Sequence, residues 1–138
     1  MTDKKIARIL DANLNRAREG LRVCEEIVRF VQDDKRGASK FKKIRHSLQD
    51  AASELRIQYK DLLESRNSTT DVGKDQVIYK SKKSTPMDIF VSNMKRAQEA
   101  VRVLEEFSKL KARKASTAFQ GIRFNLYTLE KQIVCTLF

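Results

Sequence analysis

A fourteen-residue pattern occurs twice in this chain. The run Asn13-Leu14-Asn15-Arg16-Ala17-Arg18-Glu19-Gly20-Leu21-Arg22-Val23-Cys24-Glu25-Glu26 aligns, at an offset of 80, with the run from Asn93 to Glu106, and eight positions are identical. A second pair follows at an offset of 78, where Phe41, Ile44, Arg45 and Leu48 match Phe119, Ile122, Arg123 and Leu126. The chain is therefore a repeated unit of two helices. Each unit carries an apolar seam that it cannot bury alone, and two such units bury their seams against one another. This predicts an all-α four-helix bundle built from two duplicated hairpins, with internal pseudo-two-fold symmetry.

Apolar spacing sets the expected elements. Leu10, Leu14, Ala17, Leu21, Cys24, Val28 and Val31 alternate in steps of four and three, the mark of one helical seam from about Asp3 to Asp33. Asp33-Asp34-Lys35-Arg36-Gly37 interrupts it. Phe41, Ile44, Leu48, Ala51, Leu55 and Leu62 then predict a second helix ending near Glu64, with polar Gln58 in a gap of the seam. Thr85-Pro86-Met87-Asp88 reads as an N-cap, a proline at the first helical position and an acid in the first turn, so a third helix begins at Pro86. A fourth carries Phe119, Ile122, Leu126, Leu129 and Ile133, with Ser116 as its expected cap. The whole of 1–138 reads as one domain, with repeat 1 at about 3–64, a connection at about 65–85 and repeat 2 at about 86–137. At 1.5 Å per residue the helices would be about 33 to 46 Å long. So narrow a bundle, carrying net charge of one sign, suggests a homodimer through a helix face.

Composition removes several classes. Four Gly, one Pro and two Cys are too few for a disulfide scaffold or a loop-rich β protein. Cys24 and Cys135 read as two reduced, buried thiols. The apolar runs are only a few residues long and the first fifteen residues are rich in charge, which argues against a membrane span or signal peptide and makes the cytoplasm the default location. The net charge of +11 favours anionic partners. Acidic residues are interleaved with basic ones, Trp is absent and only ten residues are Phe or Tyr, so stacking platforms for bases are scarce and nucleic acid is the weaker expectation; a small phosphorylated ligand fits the charge equally well.

Repeated apolar residues are explained by the seam; repeated polar residues ask for more. With about 100° of rotation per residue, Asn13 and Glu25 fall about 60° to either side of the core direction, and Arg16 and Arg22 about 120°. Arg45 falls at about 80° on the second helix, while His46 faces away from the core. Surface ion pairs such as Glu19 with Arg22 and Glu26 with Arg29 would account for much of this set. They account less well for Asn13 with Arg16, or Asn93 with Arg96, because Asn is a mediocre helix former placed twice at the edge of a core, and there a structural and a functional role stand level. Arginine at a cleft edge captures phosphate or carboxylate in a bidentate way. The residues thus point to a small-polyanion site formed by Asn13, Arg16, Asn93, Arg96 and the connection. Walker A spacing is absent, and one histidine without a cysteine cluster leaves neither a zinc site nor a Ser-His-Asp triad. Asp71, in Asp71-Val72-Gly73, suits either a phosphate-bound Mg²⁺ or an Asx-type turn.

The runs from Arg8 to Val23 and from Asn93 to Glu106, with Ile44-Arg45-His46, Asp71-Val72-Gly73 and Leu126-Tyr127-Thr128-Leu129-Glu130-Lys131, resemble a family of bacterial thiamine biosynthesis across essentially the whole chain. It is the monofunctional hydroxymethylpyrimidine phosphate kinase family. Its helical domain is often fused ahead of thiamine phosphate synthase, and such chains carry the name thiamine-phosphate pyrophosphorylase. The synthase is a (β/α)₈ barrel, and no alternation of strand and helix exists here. The resemblance implies ATP-dependent phosphorylation of a pyrimidine monophosphate, with ATP and Mg²⁺ as cofactors. It places Asn13, Arg16, Arg22, Arg45, Asp71, Gly73, Asn93, Arg96 and Arg102 on the family's motif positions. Within that set Arg16 and Arg96 would grip phosphates, Asn13 and Asn93 would hydrogen-bond the pyrimidine or ribose, and Asp71 would serve the metal. The loop departs from the family pattern at Asn67, where an Asp usually follows Arg66, and at Lys74-Asp75 after the glycine. The competing class is a non-catalytic basic module that binds RNA or docks onto thiamine phosphate synthase.

Overall fold

The structure, a computed structural model, describes residues 3–75 and 85–138. The described residues form five helices and one π-helical turn, with no strand among them. Helix α1 spans Asp3–Glu26 and runs into the π turn Ile27–Val31; α2 spans Lys35–Ser53, α3 Tyr59–Ser65, α4 Pro86–Ser108 and α5 Arg113–Leu137. Helix α1 packs on α2, α3 and α4, while α5 packs on α2 and α4. The remainder of the connection, 76–84, lies outside the described residues.

The seams read from the sequence are the core. Leu10, Leu14, Leu21 and Cys24 of α1, Phe41 and Leu48 of α2, Phe90, Met94 and Leu104 of α4, and Phe119 and Leu126 of α5 are all buried. Phe90 ties one end together, meeting Phe41 edge to face at 6.0 Å and Phe138 at 5.9 Å. Pro86 opens α4 as expected, with a full capping box in which Thr85 accepts from Asp88 N at 3.1 Å and Asp88 accepts from Thr85 N at 3.2 Å.

Four sequence expectations need correction. The first seam does not reach Val31, because the π turn, closed by Gln32 N to Ile27 O at 3.0 Å, brings Ile27 into the core and leaves Val31 54% exposed. The second helix does not continue to Glu64. It stops at Ser53, Arg56 takes a left-handed φ of 54°, and α3 starts afresh at Tyr59. The fourth helix begins three residues early, so Ser116 is no cap: it is buried, and its hydroxyl donates to the Glu105 carbonyl at 2.8 Å. Cys135 is exposed rather than buried.

Helices α1 and α4 pack tightly at Gly20. A Cβ there would stand 2.8 Å from the Asn93 carbonyl oxygen and 3.4 Å from Ala97 Cβ. Alanine in mid-helix normally gains about 0.5–1 kcal/mol over glycine. Here the backbone must shift instead, so Gly20→Ala should lose about 1–3 kcal/mol. Gly121, on α5, has nothing within 4 Å of the same atom, and Gly121→Ala should stabilise. Urea unfolding of the two variants reads the opposite signs.

Cys24 is buried and donates weakly to the Phe90 carbonyl at 3.4 Å. Burial, with a smaller contribution from the charge of Glu130, pushes its thiol up to about 12. It stays protonated at neutral pH and is a poor nucleophile. Alkylation of the native protein at pH 8 should therefore modify one thiol per chain, at Cys135, and the second only after unfolding.

Candidate functional site

Polar residues of the repeat recur in geometry as well as in sequence. Asn13 Nδ2 donates to the Ile9 carbonyl at 2.8 Å, and Asn93 Nδ2 donates to Ile89 at 2.9 Å. Each bond satisfies the amide within its own helix, which accounts for part of the repeated asparagine. Glu25 accepts from Arg45 NH2 at 3.1 Å, and Glu105 accepts from Arg123 Nε at 2.7 Å and NH2 at 3.2 Å. Glu105 and Tyr127 raise the Arg123 pKa above the usual guanidinium range. The Glu25 pair leaves Arg45 Nε buried without a partner, whereas the Glu105 pair engages the matching atom.

Candidate residues from α1 and from the connection meet around an open groove in the first repeat. The break at 54–58 folds α3 back onto α1. Arg66, at the end of α3, then grips Asp11 of α1 through two bonds, Nε to Oδ2 at 2.8 Å and NH2 to Oδ1 at 2.9 Å. Asp11 is buried and holds the Arg66 guanidinium above its ordinary pKa. From this anchor the chain turns over the helix. Asn67 Oδ1 accepts from Thr70 N at 3.1 Å, and Asp71 Oδ1 accepts from Gly73 N at 2.8 Å. Both are Asx-type turns, so the bland reading of Asp71 is part of its role. Between this loop and α1 lies an open groove of about 540 Å³. Small-ligand sites typically range over about 300–1,000 Å³.

Of the sequence candidates, the groove brings together Asn13, Arg16 and Asp71. Asn13 is buried and its Oδ1 accepts from Arg16 NH1 at 3.3 Å, which braces the guanidinium at the groove wall. Gly73 serves through its N–H to Asp71. The other five do not line the groove. Arg45 is committed to Glu25 at 3.0 Å, and Arg22 approaches the same carboxylate at 3.7 Å rather than Glu19. Arg102 pairs with Glu106 at 3.2 Å on the α4 surface. Asn93 stands at the Gly20 crossing, and Arg96 is exposed on α4. Among the described residues the first asparagine–arginine pair lines this groove and the second does not.

Four charged groove residues were not singled out in the sequence: Lys5, Arg8, Asp11 and Arg66. A signal for them exists, since at an offset of 80 Arg8 stands opposite Asp88 and Asp11 opposite Val91. They mark where the two copies diverge. With Asp11 taken up by Arg66, Arg8 and Arg16 face the groove against Asp71, a balance that favours an anion.

Residues 8–132 match the ThiD2 family. The chain belongs to that family. Among curated relatives, a thiamine-phosphate synthase of Prochlorococcus marinus is 40% identical over 129 residues, which are 93% of this chain and 35% of the relative. A thiamine-phosphate synthase of Synechocystis sp. is 36% identical over 130 residues, 94% of this chain and 36% of the relative. This ThiD2-family chain therefore spans just over a third of the length of such relatives. No solved structure matches it. No helix among the described residues is long and apolar enough to cross a membrane.

Proposed function

We propose that this protein is a phosphotransferase of thiamine biosynthesis, using ATP to convert 4-amino-5-hydroxymethyl-2-methylpyrimidine phosphate to the diphosphate. The observation that carries this reading is the convergence of Arg16, its brace Asn13 and Asp71 in one cationic groove, in a ThiD2-family chain whose relatives are thiamine-phosphate synthases. The scaffold is read as a four-helix bundle of two duplicated hairpins. Contacts among α1, α2, α4 and α5, and the recurrence of the Asn13 and Glu25 interactions at Asn93 and Glu105, support it.

Phosphoryl transfer needs positioning and positive charge more than covalent chemistry from the protein. In the proposed reaction an oxygen of the pyrimidine's phosphate forms the new bond to the γ-phosphorus. The bond from that phosphorus to the β–γ bridging oxygen breaks, and ADP leaves. Arg16 offers two parallel N–H donors to phosphate oxygens, and Asn13 holds its head in place.

Among the described residues no three acidic, cysteine or histidine side chains come together to cage a metal ion. Asp71 fits the other kind of site, a single carboxylate on an Mg²⁺ otherwise ligated by phosphates and water. Its Oδ1 is held by Gly73 N, which orients the group. A phosphate-bound Mg²⁺ would neutralise charge on the transferring phosphoryl group. A coupled assay for ADP release, with Mg-ATP and the pyrimidine monophosphate beside the unphosphorylated pyrimidine, should show turnover with the monophosphate alone. No turnover with a folded protein would contradict the reading and favour the docking module instead.

A further inference from the structure

We infer that Arg8 is a further phosphate-binding residue, forming with Arg16 a two-arginine clamp across Ala12 that grips a ligand carrying adjacent phosphoryl groups. This rests on the proposed reaction for its substrate, though not for its geometry. Arg8, Ala12 and Arg16 follow one another at spacing four on α1, and all three line the groove. Successive members lie one helical turn apart, about 6 Å along the axis. Both arginines therefore stand on the same stripe of α1 and line one groove, and Ala12 between them presents only a methyl group.

Three observations separate Arg8 from an ordinary surface cation. Arg8 makes no ion pair among the described residues, although Asp11 lies one turn away and is taken by Arg66 through both its oxygens. The repeat does not require a cation there, since the second copy has Asp88, which caps α4. And the cation belongs to the copy that has the groove. Arg66 is set apart from the clamp by its two bonds to the buried Asp11 carboxylate, which neutralise its charge; it is a positioning residue for the loop.

Two arginines two turns apart along one groove suit a diphosphate-sized anion better than a single phosphate, because each can take its own phosphoryl group. In the proposed reaction that anion is the pair formed by the substrate's phosphate and the group being transferred.

The test uses inorganic pyrophosphate as the probe, titrated calorimetrically into the full chain at fixed salt. Arg8→Ala should weaken binding at least tenfold, Arg8→Lys should recover part of it, and Lys42→Ala, an exposed cation on α2, should bind as the unaltered protein does. Circular dichroism of each variant verifies the fold. Binding by Arg8→Ala within twofold of the unaltered protein, or no pyrophosphate binding by the unaltered protein, would overturn the clamp. Turnover is scored separately. A protein that loses pyrophosphate with Arg8→Ala yet never releases ADP keeps the clamp and sinks the kinase reading, and an active enzyme indifferent to Arg8→Ala does the reverse.

Discussion

Glu105→Ala is expected to lower the unfolding free energy by about 3–5 kcal/mol, the typical loss when one partner of a buried ion pair is removed. The Arg123 side chain is only 10% exposed, and Glu105 engages both its Nε and NH2. Tyr127 OH accepts from NH1 at 3.2 Å, and the guanidinium lies over the Phe124 and Tyr127 rings at 4.9 and 5.8 Å. Those contacts remain after the substitution but cannot neutralise the charge. Glu25→Ala, at the equivalent position of the first repeat, should lose roughly half as much, because Arg45 is 22% exposed and water can reach it. Urea unfolding of both variants measures the difference. Equal losses would show that the two pairs are energetically interchangeable and that burial is not what separates them.

The second large effect is on turnover. Asp71→Asn should reduce kcat by about 10²–10³, the range for removal of one electrostatic contact to a developing charge. The substitution is chosen because asparagine keeps an acceptor for Gly73 N, so the turn survives and only the charge is lost. Arg16→Ala should act in the same range. Arg16 is exposed and its hydrogen bond to Asn13 is the sole one recorded for it among the described residues, so helix content should not change. A fall in helix content with either variant would make the residue structural; full activity in a folded protein would remove it from the site.

Much of the helical scaffold was legible because duplication and a step of three and four state the same thing twice. Leu10, Leu14, Leu21, Phe41, Phe119 and Leu126 are buried where the seam puts them. The break between α2 and α3 was not legible. Leu48, Ala51, Leu55 and Leu62 stay in helical register across it, and the left-handed residue is Arg56, which carries no turn signal of its own. The Val31 error has a similar cause, since one wide π turn rotates the face without altering the spacing.

The groove was half legible. Repetition directed attention to polar residues present in both copies, and of these Asn13 and Arg16 line the groove. The same reasoning drew in Asn93, Arg96, Arg22, Arg45 and Arg102, which the fold uses at helix surfaces, at a helix crossing or in ion pairs. Residues that make the first copy different, Arg8, Asp11 and Arg66, could not be found by a search for what is shared. Asp11 and Arg66 stand 55 residues apart, and only the return of α3 onto α1 joins them.

The most direct test of the account is to watch the phosphorus. Purified protein with Mg-ATP and the pyrimidine monophosphate, followed by ³¹P NMR, should show the monophosphate resonance replaced by the coupled pair of a diphosphate ester as ADP accumulates, with no change when the unphosphorylated pyrimidine is supplied. An unchanged monophosphate resonance, or ATP consumed to ADP and free phosphate alone, would contradict a phosphotransferase centred on Arg16 and Asp71.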